Sequence, residues 1–403
     1  MTDTLKVSMV NTAATRGGAA RAAVTLRDAL NAHERGVEAE LLHCDDRSVT
    51  PGSQGLRRPL SRQLNALLFR CAGERLVIDM GVAREIAASA GERDLLHLHN
   101  LHGYYLDWQA LLRSLGETPL VWTWHDMWPV TGRCGSSADC DRWAEGCPAC
   151  PHLDFYPATW RDHAARDFAV KRQAWAAIPH CMIVCPSRWM ARMARKAGIP
   201  EARLEVIPNA VDLDVYQHTP RRAARQALGL PADQVILAFV AADCDDERKG
   251  YPEFARLVEK LGVHGLAVGN APSTLSARIQ ATGPVHDKPK LSLLYSAADA
   301  YVTTSRIDNY PNTVIEAQAC GTPAFGYAIG GIPEQCPDWW EGVTEDTSVD
   351  GMAASISAWL TQRTDAEYRA EEFAAYAAST WGPAIIARSY ADVYRRALAL
   401  QRG

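Results

Sequence analysis

The sequence predicts an α/β protein made of two Rossmann-like domains that face a central cleft. Its 403 residues are enough for two ordinary domains. Short β-rich runs alternate with helical patterns along the chain, which is typical of a parallel sheet with helices on both faces. The alternation occurs in two series, and the segment 208–218 between them reads as a linker.

The first series starts with a strand, a turn at Gly17 and Gly18, and an Ala-rich helix. Ser187 is a candidate N-cap for a later helix. We assign residues 1–207 to an N-terminal domain, and we expect a C-terminal helix near 384–403 to pack back on it. The predicted strands are Leu5–Met9, Val37–His43, Leu95–Leu98, Leu120–Trp124 and Cys181–Cys185, and the predicted helices are Ala19–His33 and Trp189–Ala197.

The second series forms a C-terminal domain over residues 208–383. In such folds, ligands bind beyond the carboxyl ends of the strands. The predicted strands are Val235–Val240, Gly265–Val268, Ala300–Thr303 and Thr322–Phe325, and the predicted helices are Tyr251–Leu261, Lys290–Ala297 and Thr313–Ala319.

Composition narrows the class of protein. Hydrophobic residues make up 47% and charged residues 22%, as in soluble globular proteins. The net charge of −5 offers nucleic acid no general attraction, so no nucleic-acid partner is expected. No run approaches the roughly 20 apolar residues that span a bilayer, and Met1–Val10 does not resemble a secretory signal. We therefore expect a cytoplasmic protein.

The segment from Ser305 to Ala317 combines a strand end, a Pro-containing loop and a helix start. Backbone N–H groups at a helix start have no partners within the helix and attract anions, so Asn312 and Thr313 are candidates for holding phosphate. Glu316 can accept hydrogen bonds from a ribose diol. Asp308, with Asn309 beside it, can bind sugar hydroxyls. The segment thus predicts a nucleotide-sugar site.

This segment resembles the E-x7-E signature of glycosyltransferase family 4, which comprises retaining enzymes of the GT-B fold. The resemblance includes Leu294–Asp299, Ala319–Pro323 and Gly330–Glu334. It implies transfer of a hexosyl group from a nucleotide sugar to a saccharide hydroxyl, with no cofactor required for catalysis. Asp308 stands where the family has Glu, which leaves the donor sugar open. The plain alternative is a capped helix with a buried glycine turn.

The resemblance assigns further residues to the donor. Lys249, before Gly250, would contact the diphosphate, and Arg248 would replace an arginine that many relatives carry slightly earlier. An exposed basic pair is the alternative for these two side chains. His125 would contact the donor sugar near the reacting carbon, and Asp126 would orient the His125 ring.

Other residues of the first domain are assigned to the acceptor side. The Gly17-Gly18 turn corresponds to the family's first glycine loop, which approaches the diphosphate or the acceptor. His97, His99 and His102 are interpreted as an acceptor-side wall. A metal site is the alternative for these histidines, but neighbouring strand residues alternate between faces.

Cys134, Cys140, Cys147 and Cys150 lie within seventeen residues, in a C-x5-C-x6-C-x2-C pattern. Four thiolates this close suit structural zinc. Unmetallated thiols and disulfides remain alternatives. The run from His125 to Pro151 resembles a subset of family 4 that includes enzymes of colanic acid and other exopolysaccharide clusters. It implies surface-glycan biosynthesis, with a lipid-linked acceptor as one candidate.

Residues 56–70 place leucines at helical spacing among arginines. Such a helix can lie on an anionic membrane, which would put the protein at the inner face of the cell membrane. The alternative is a surface helix that packs its leucines on the sheet. Two rival functions are a sugar-nucleotide 2-epimerase on the same fold and a zinc module that binds nucleic acid.

Overall fold

The computed structural model describes residues 4–44, 51–56, 59–79, 81–137, 140–178, 180–362 and 366–402. The chain divides into two compact units, Met1–Asn209 with Ile386–Gly403, and Ala210–Ile385. The predicted boundaries after 207 and 383 fall two residues before each of these divisions.

The first unit is built on a seven-stranded sheet in the order β3-β2-β1-β4-β5-β6-β7, and every pair of neighbours is parallel. Every residue of β4, β5 and β6 is buried. A sheet covered on both faces requires such continuous apolar strands. The strands are β1 Leu5–Asn11, β2 Val37–His43, β3 Ser53–Gly55, β4 Leu95–Leu98, β5 Leu120–Thr123, β6 Met182–Cys185 and β7 Leu204–Val206.

Helices lie between the strands of the first unit along the chain. Ser187 caps α6 as predicted, because its side chain accepts a hydrogen bond from the Met190 N–H. The helices are α1 Gly18–His33, α2 Pro59–Ala72, α3 Val82–Gly91, α4 Trp108–Ser114, α5 Ala164–Ala176 and α6 Arg188–Lys196.

The second unit contains a six-stranded parallel sheet in the order β10-β9-β8-β11-β12-β13. Its strands are β8 Ile236–Asp243, β9 His264–Asn270, β10 Ile279–Ala281, β11 Ala300–Thr303, β12 Ala324–Tyr327 and β13 Val343–Thr344. Its helices are α7 Arg221–Leu228, α8 Tyr251–Leu261, α9 Lys288–Ala297, α10 Asn312–Ala319, α11 Val349–Gln362 and α12 Ala366–Trp381.

The last helix, α13 Pro383–Arg402, belongs to the first unit from Ile386 onward. Its Tyr394 hydroxyl is hydrogen-bonded to His97 Nδ1 over 2.8 Å, and its Tyr390 hydroxyl is bonded to Thr123 Oγ1 over 3.0 Å. His97 Nε2 in turn bonds Thr123 Oγ1 over 2.8 Å. A chain of three buried hydrogen bonds thus connects α13 with β4 and β5.

Sequence patterns located the central strands to within about three residues, but they missed the short ones. β3, β7, β10 and β13 are two or three residues long and lie at or next to sheet edges. Such runs are too short to show a period. In the described part of the chain, no helix is both long and apolar enough to cross a bilayer.

Replacing Tyr394 with Phe is expected to lower the free energy of unfolding of the first unit by about 1–3 kcal/mol. The change leaves a buried nitrogen of His97 without its partner. Urea unfolding followed by hydrogen exchange at β4 amides would measure it. Arg395→Gln, on the exposed face of the same helix, should change this free energy by less than about 0.5 kcal/mol. Equal effects of the two changes would contradict the assignment.

Candidate active site

The predicted phosphate site lies where α10 begins. Pro311 is the N-cap residue of the helix, and its side chain makes no capping hydrogen bond. The first N–H groups of a helix that lack a side-chain cap form an anion site. Asn312 is the first helical residue and is nearly buried, and the Tyr301 hydroxyl holds Thr313 Oγ1 over 2.7 Å.

A second loop reaches this site because a glycine allows close contact. Gly250 has φ 73°, and a Cβ there would lie 2.3 Å from the carbonyl oxygen of Thr304. The Thr304 hydroxyl donates to the Gly250 carbonyl over 2.7 Å. The loops after β8 and β11 are therefore in contact at Gly250 and Thr304, and Lys249 is the residue before Gly250.

Lys249 and Asp308 form an ion pair, with 2.6 Å between Nζ and Oδ2. Gly330 makes a similar close approach, since a Cβ there would lie 1.8 Å from the Asp308 carbonyl oxygen. Two residues predicted separately to bind diphosphate and sugar thus meet. Neither is fully buried, so both charges remain accessible to a ligand.

The other predicted donor residues of the second unit surround this pair. Asn309 is nearly buried in the same loop. Glu316 is also buried and accepts a hydrogen bond from the Tyr295 hydroxyl over 3.0 Å. Glu316 is the fifth residue of α10, which begins at Asn312, one residue before the predicted start at Thr313.

Arg248 differs from Lys249 in having a carboxylate partner within its own turn. Its guanidinium donates two hydrogen bonds to Asp246, over 2.9 and 2.6 Å. Partial burial disfavours the charged form of Asp246, but these bonds lower its pKa below the usual value. A donor would have to compete with Asp246 for Arg248.

In the first unit, His125 follows the carboxyl end of β5. Its Nε2 is hydrogen-bonded to His99 Nδ1 over 2.8 Å, and the two rings stack with centroids 5.1 Å apart. Burial lowers the pKa of His125 to about 4 and that of His99 well below its ordinary value. Both imidazoles are therefore neutral near pH 7.

Asp126 has partners other than the one predicted for it. Its carboxylate is bonded to His102 Nε2 over 2.8 Å and accepts from the Trp128 N–H over 2.9 Å. Burial alone would raise the pKa of Asp126, but these contacts lower it, so the carboxylate stays ionised. The His125 ring is hydrogen-bonded to His99, a residue that the sequence interpretation placed only in the acceptor-side wall.

The three histidines of the predicted wall lie in two different elements. His97 lies within β4 and is fully buried against α13, whereas His99 and His102 lie in the loop after β4. The ring centroids of His97 and His99 are 4.2 Å apart. β4 and β5 pair in parallel, with Leu98 opposite Trp122, so their following loops adjoin. This register could have indicated the His99–His125 contact.

The predicted glycine loop lies at the start of α1. Gly17 is the N-cap residue with φ 89°, and the helix begins at Gly18 without a side-chain cap. A Cβ at Gly17 would meet no heavy atom within 4 Å. The positive φ, more than crowding, therefore favours glycine at this position.

The four clustered cysteines line one cavity of about 400 Å³, part of it open to solvent, and each is a free thiol. The Gly132 N–H donates to the Cys147 sulfur, and the Arg133 guanidinium lies 3.7 Å from the Cys150 sulfur. Burial raises the pKa of Cys147 to about 11. Among the described residues, no three His, Cys, Asp or Glu side chains group closely enough to hold a metal. As placed, the thiols do not form a closed tetrahedral site.

Two family models match the chain. The model described as Glycosyltransferase Family 4 matches residues 16–215, and the one described as Glycosyl transferases group 1 matches residues 271–378. The chain belongs to the family 4 glycosyltransferases. The predicted family and enzyme class, a hexosyl-type glycosyltransferase, are confirmed.

Sequence relatives include the colanic acid biosynthesis glycosyl transferase WcaC of Escherichia coli K12. It is 29% identical over 279 residues, which are 66% of this chain and 67% of WcaC. The D-inositol 3-phosphate glycosyltransferase of Mycobacterium avium is 32% identical over 49% of this chain. The chain spans only about half the length of that mycobacterial relative, 50%.

Solved structures show the same fold. The sucrose-phosphate synthase of Thermosynechococcus elongatus has a TM-score of 0.72 at 18% identity and covers 98% of this chain and 99% of its own. Alr3699/HepE of Anabaena, crystallised with UDP-glucose, has a TM-score of 0.67 at 16% identity, over 96% of this chain and 99% of its own. The predicted α/β, GT-B fold class is confirmed.

The ion pair between Lys249 and Asp308 predicts opposite effects on two ligands. Asp308→Asn removes a carboxylate that competes for Lys249, so a nucleoside diphosphate should bind equally well or up to tenfold more tightly. A sugar nucleotide should lose its advantage over the nucleoside diphosphate, because a charged hydrogen-bond acceptor for the sugar is gone. Calorimetry with a nucleoside diphosphate and with the sugar nucleotide of the same base would measure both effects.

Lys249→Met is the matched control for this change. It should weaken both ligands, since the diphosphate loses its cation. If Asp308→Asn weakened the nucleoside diphosphate as strongly as Lys249→Met does, the two residues would not divide diphosphate and sugar between them.

Proposed function

We propose that this chain transfers a hexosyl group from a nucleotide sugar to a hydroxyl of a saccharide acceptor, with retention at the anomeric carbon. The observation that carries the proposal is the ion pair of Lys249 with Asp308, four residues before the start of α10. A cation, a carboxylate and the first N–H groups of a helix are what a sugar diphosphate requires.

In the proposed reaction, the donor diphosphate replaces Asp308 as the ionic partner of Lys249 and binds at the start of α10. Asp308 is then available to sugar hydroxyls, while Glu316 binds the ribose. As the glycosidic bond breaks, negative charge grows on the diphosphate, where Lys249 and the helix N–H groups stabilise it. The leaving phosphate accepts the proton of the acceptor hydroxyl, so no protein nucleophile is required.

His125, which the family resemblance assigns to the donor sugar, contributes as a neutral ring. A pKa of about 4 means that it can accept or donate a hydrogen bond at neutral pH but carries no charge. A neutral imidazole avoids repulsion with a positively charged, oxocarbenium-like sugar. We propose positioning, rather than charge stabilisation, as its role.

The donor nucleotide and the pathway are suggested by similar proteins. Alr3699/HepE was crystallised with UDP-glucose, so uridine sugar nucleotides are the first donors to test. WcaC is named for colanic acid biosynthesis, which supports a role in exopolysaccharide or surface-glycan assembly. A lipid-linked acceptor belongs to the same proposal.

A panel of sugar nucleotides, scored by thermal shift and by slow hydrolysis, tests the proposed function. We expect one donor to raise the melting temperature and to release its sugar with the donor's anomeric configuration, as read by NMR. Asp308→Asn should reduce this hydrolysis at least tenfold. Conversion of the donor into an epimer without acceptor would instead establish the rival isomerase, and inverted sugar would exclude the retaining mechanism.

We further propose that the first unit contacts an anionic membrane, which would place the protein at the inner face of the cell membrane. In the predicted helix 56–70, Arg57 and Arg58 lie outside the described residues, and Leu56 is buried ahead of α2. The support for this proposal is a set of exposed hydrophobic side chains. Of the eleven exposed large hydrophobic side chains in the described chain, six lie on α2 or in the segments 76–78 and 156–160: Leu64, Leu67, Leu76, Ile78, Tyr156 and Trp160.

We call these six residues the apolar patch. Hydrogen bonds hold its parts together, since Asn65 bonds the backbone of Ile78, and the Trp160 N–H donates to the Arg70 carbonyl. Arg70, Arg75 and Arg161 are exposed in the same segments. Apolar and aromatic side chains beside arginines fit an anionic interface.

Flotation with vesicles tests the membrane proposal. The chain should float with vesicles containing phosphatidylglycerol more than with neutral ones, and Leu67→Ser with Trp160→Ser should abolish most of this binding. Leu275→Ser, an equally exposed leucine in the second unit, is the control and should leave flotation intact. Flotation that is the same with anionic and neutral vesicles, and the same with and without the patch substitutions, would reject the membrane proposal.

Structural zinc at the four cysteines also remains our proposal. Its support is the shared cavity and the N–H group directed at the Cys147 sulfur, a common partner of metal-bound thiolates. Ala138 and Asp139, between the first two cysteines, lie outside the described residues. Zinc binding would have to draw the thiols together.

Metal analysis of the purified protein should find one zinc per chain, and Cys147→Ala should lose most of it. Cys71→Ala, an exposed cysteine outside the cluster, should retain the metal. The absence of zinc from all three proteins would leave the cysteines as plain thiols.

A further inference from the structure

Two buried tyrosines of the second unit are hydrogen-bonded to residues that the nucleotide is expected to contact. The Tyr295 hydroxyl donates to Glu316 Oε2 over 3.0 Å, and the Tyr301 hydroxyl donates to Thr313 Oγ1 over 2.7 Å. Tyr295 lies in the last turn of α9, and Tyr301 is the second residue of β11. Neither is more than 2% exposed, so both act on the site from within the core.

We call Tyr295 and Tyr301 the tyrosine pair, because their rings pack against each other. The ring centroids are 5.9 Å apart at an interplanar angle of 77°, an edge-to-face arrangement that aromatic pairs favour. The Tyr295 carbonyl also accepts from the Thr322 hydroxyl over 2.8 Å, which connects the end of α9 to the turn after α10. Thr313 and Glu316 are three residues apart on α10, so they are neighbours on its surface. One aromatic pair therefore holds both residues.

The same sheet shows that a buried tyrosine hydroxyl is not always paired in this fold. Tyr327, the last residue of β12, is fully buried, and its hydroxyl has no hydrogen-bond partner among the described residues. An unpaired buried hydroxyl is unfavourable, yet the fold tolerates this one. The pairing of both members of the tyrosine pair with donor-site residues therefore points to a role in that site.

Tyr301 decides how the Thr313 hydroxyl can bond a ligand. A threonine hydroxyl can donate or accept, but the oxygens of an ionised diphosphate only accept, so Thr313 must donate to them. Its oxygen already accepts from Tyr301, which leaves its own hydrogen for the phosphate. Burial raises the pKa of Tyr301 above the ordinary value, so the phenol stays protonated and remains the donor.

Tyr295 acts on Glu316 in the complementary way. The ribose hydroxyls need an acceptor, and a carboxylate offers about four acceptor positions on its two oxygens. Tyr295 uses one position on Oε2 and thereby limits rotation of the carboxylate. Because the phenol is neutral, it orients Glu316 without adding a positive charge that would compete with the ribose.

We infer that Tyr295 and Tyr301 are positioning residues that divide recognition of the nucleotide between them. Tyr295 holds Glu316 as the acceptor for the ribose hydroxyls. Tyr301 holds Thr313 as a donor to the diphosphate. The inference rests on the proposed function, because it uses the contacts expected there for Glu316 and Thr313. It adds that selection of ribose depends on one buried phenol and binding of phosphate on the other.

Calorimetry on the full chain with UDP and 2′,3′-dideoxy-UDP tests the inference; if the donor panel selects another base, the same pair is used with that base. The two probes share the diphosphate and differ only in the ribose hydroxyls. The unchanged chain should bind the ribose form roughly tenfold or more tightly, since hydrogen bonds to a carboxylate are strong. Equal affinities would overturn the inference and leave the transferase proposal standing.

The two tyrosine substitutions should have different signatures. Tyr295→Phe should weaken the ribose form roughly three- to tenfold and the dideoxy form less than about twofold, because only the ribose form uses Glu316. Tyr301→Phe should weaken both forms by the same factor, roughly three- to tenfold, because both carry the diphosphate. The two affinities are compared within one variant, so a reduced fraction of folded protein does not change their ratio.

Tyr327→Phe is the matched control, since it removes a buried hydroxyl without a described partner, and it should change neither affinity. Glu316→Gln gives the full loss of ribose preference for comparison. If that preference were lost in Glu316→Gln but kept in Tyr295→Phe, Glu316 would retain its role and the inference would be wrong. Equal loss of both probes in Tyr295→Phe would also overturn it. Failure of the unchanged chain to bind any nucleotide of the panel would instead reject the proposed function.

Discussion

The contact between the loops after β8 and β11 is the constraint on which the candidate donor site depends. Parallel strands place their carboxyl ends at one edge of a sheet, but this alone does not bring two loops into contact. Contact requires that the backbone at residue 250 lie against the carbonyl of Thr304, where a Cβ would approach within 2.3 Å. Glycine is therefore required, and the Thr304 hydroxyl locks the arrangement. Lys249 reaches Asp308 as a consequence.

The polar groups described in the first unit are mainly neutral rings, in contrast to the Lys249–Asp308 ion pair of the second unit. Burial lowers the pKa of His97, His99 and His125, so these three rings are neutral near pH 7 and supply direction rather than charge. In the loop after β5, the Asp126 carboxylate carries a charge, because its hydrogen bonds to His102 and to the Trp128 N–H keep it ionised. Rigid neutral donors and acceptors suit the recognition of sugar hydroxyls, which carry no charge.

Helix α2 has a buried side and an exposed side in the first unit. Asn65 and Phe69 are buried, whereas Leu64 and Leu67 are exposed and belong to the apolar patch. The buried side fits a helix packed on its own unit, and the exposed leucines are the support for the membrane contact that we propose for residues 56–70.

The sequence by itself determined the two parallel sheets, the family and the donor segment. These depend on local patterns: continuous apolar strands, a helix start after Pro311, and glycines at 250 and 330. What only the tertiary structure decided is which distant side chains meet. Lys249 and Asp308 are 59 residues apart, and His99 and His125 are 26 apart. The partner of His125 was missed because strand register, and not sequence proximity, brings the two loops together. The four cysteines show the reverse case, since spacing places them near one another without placing their sulfurs around a common point.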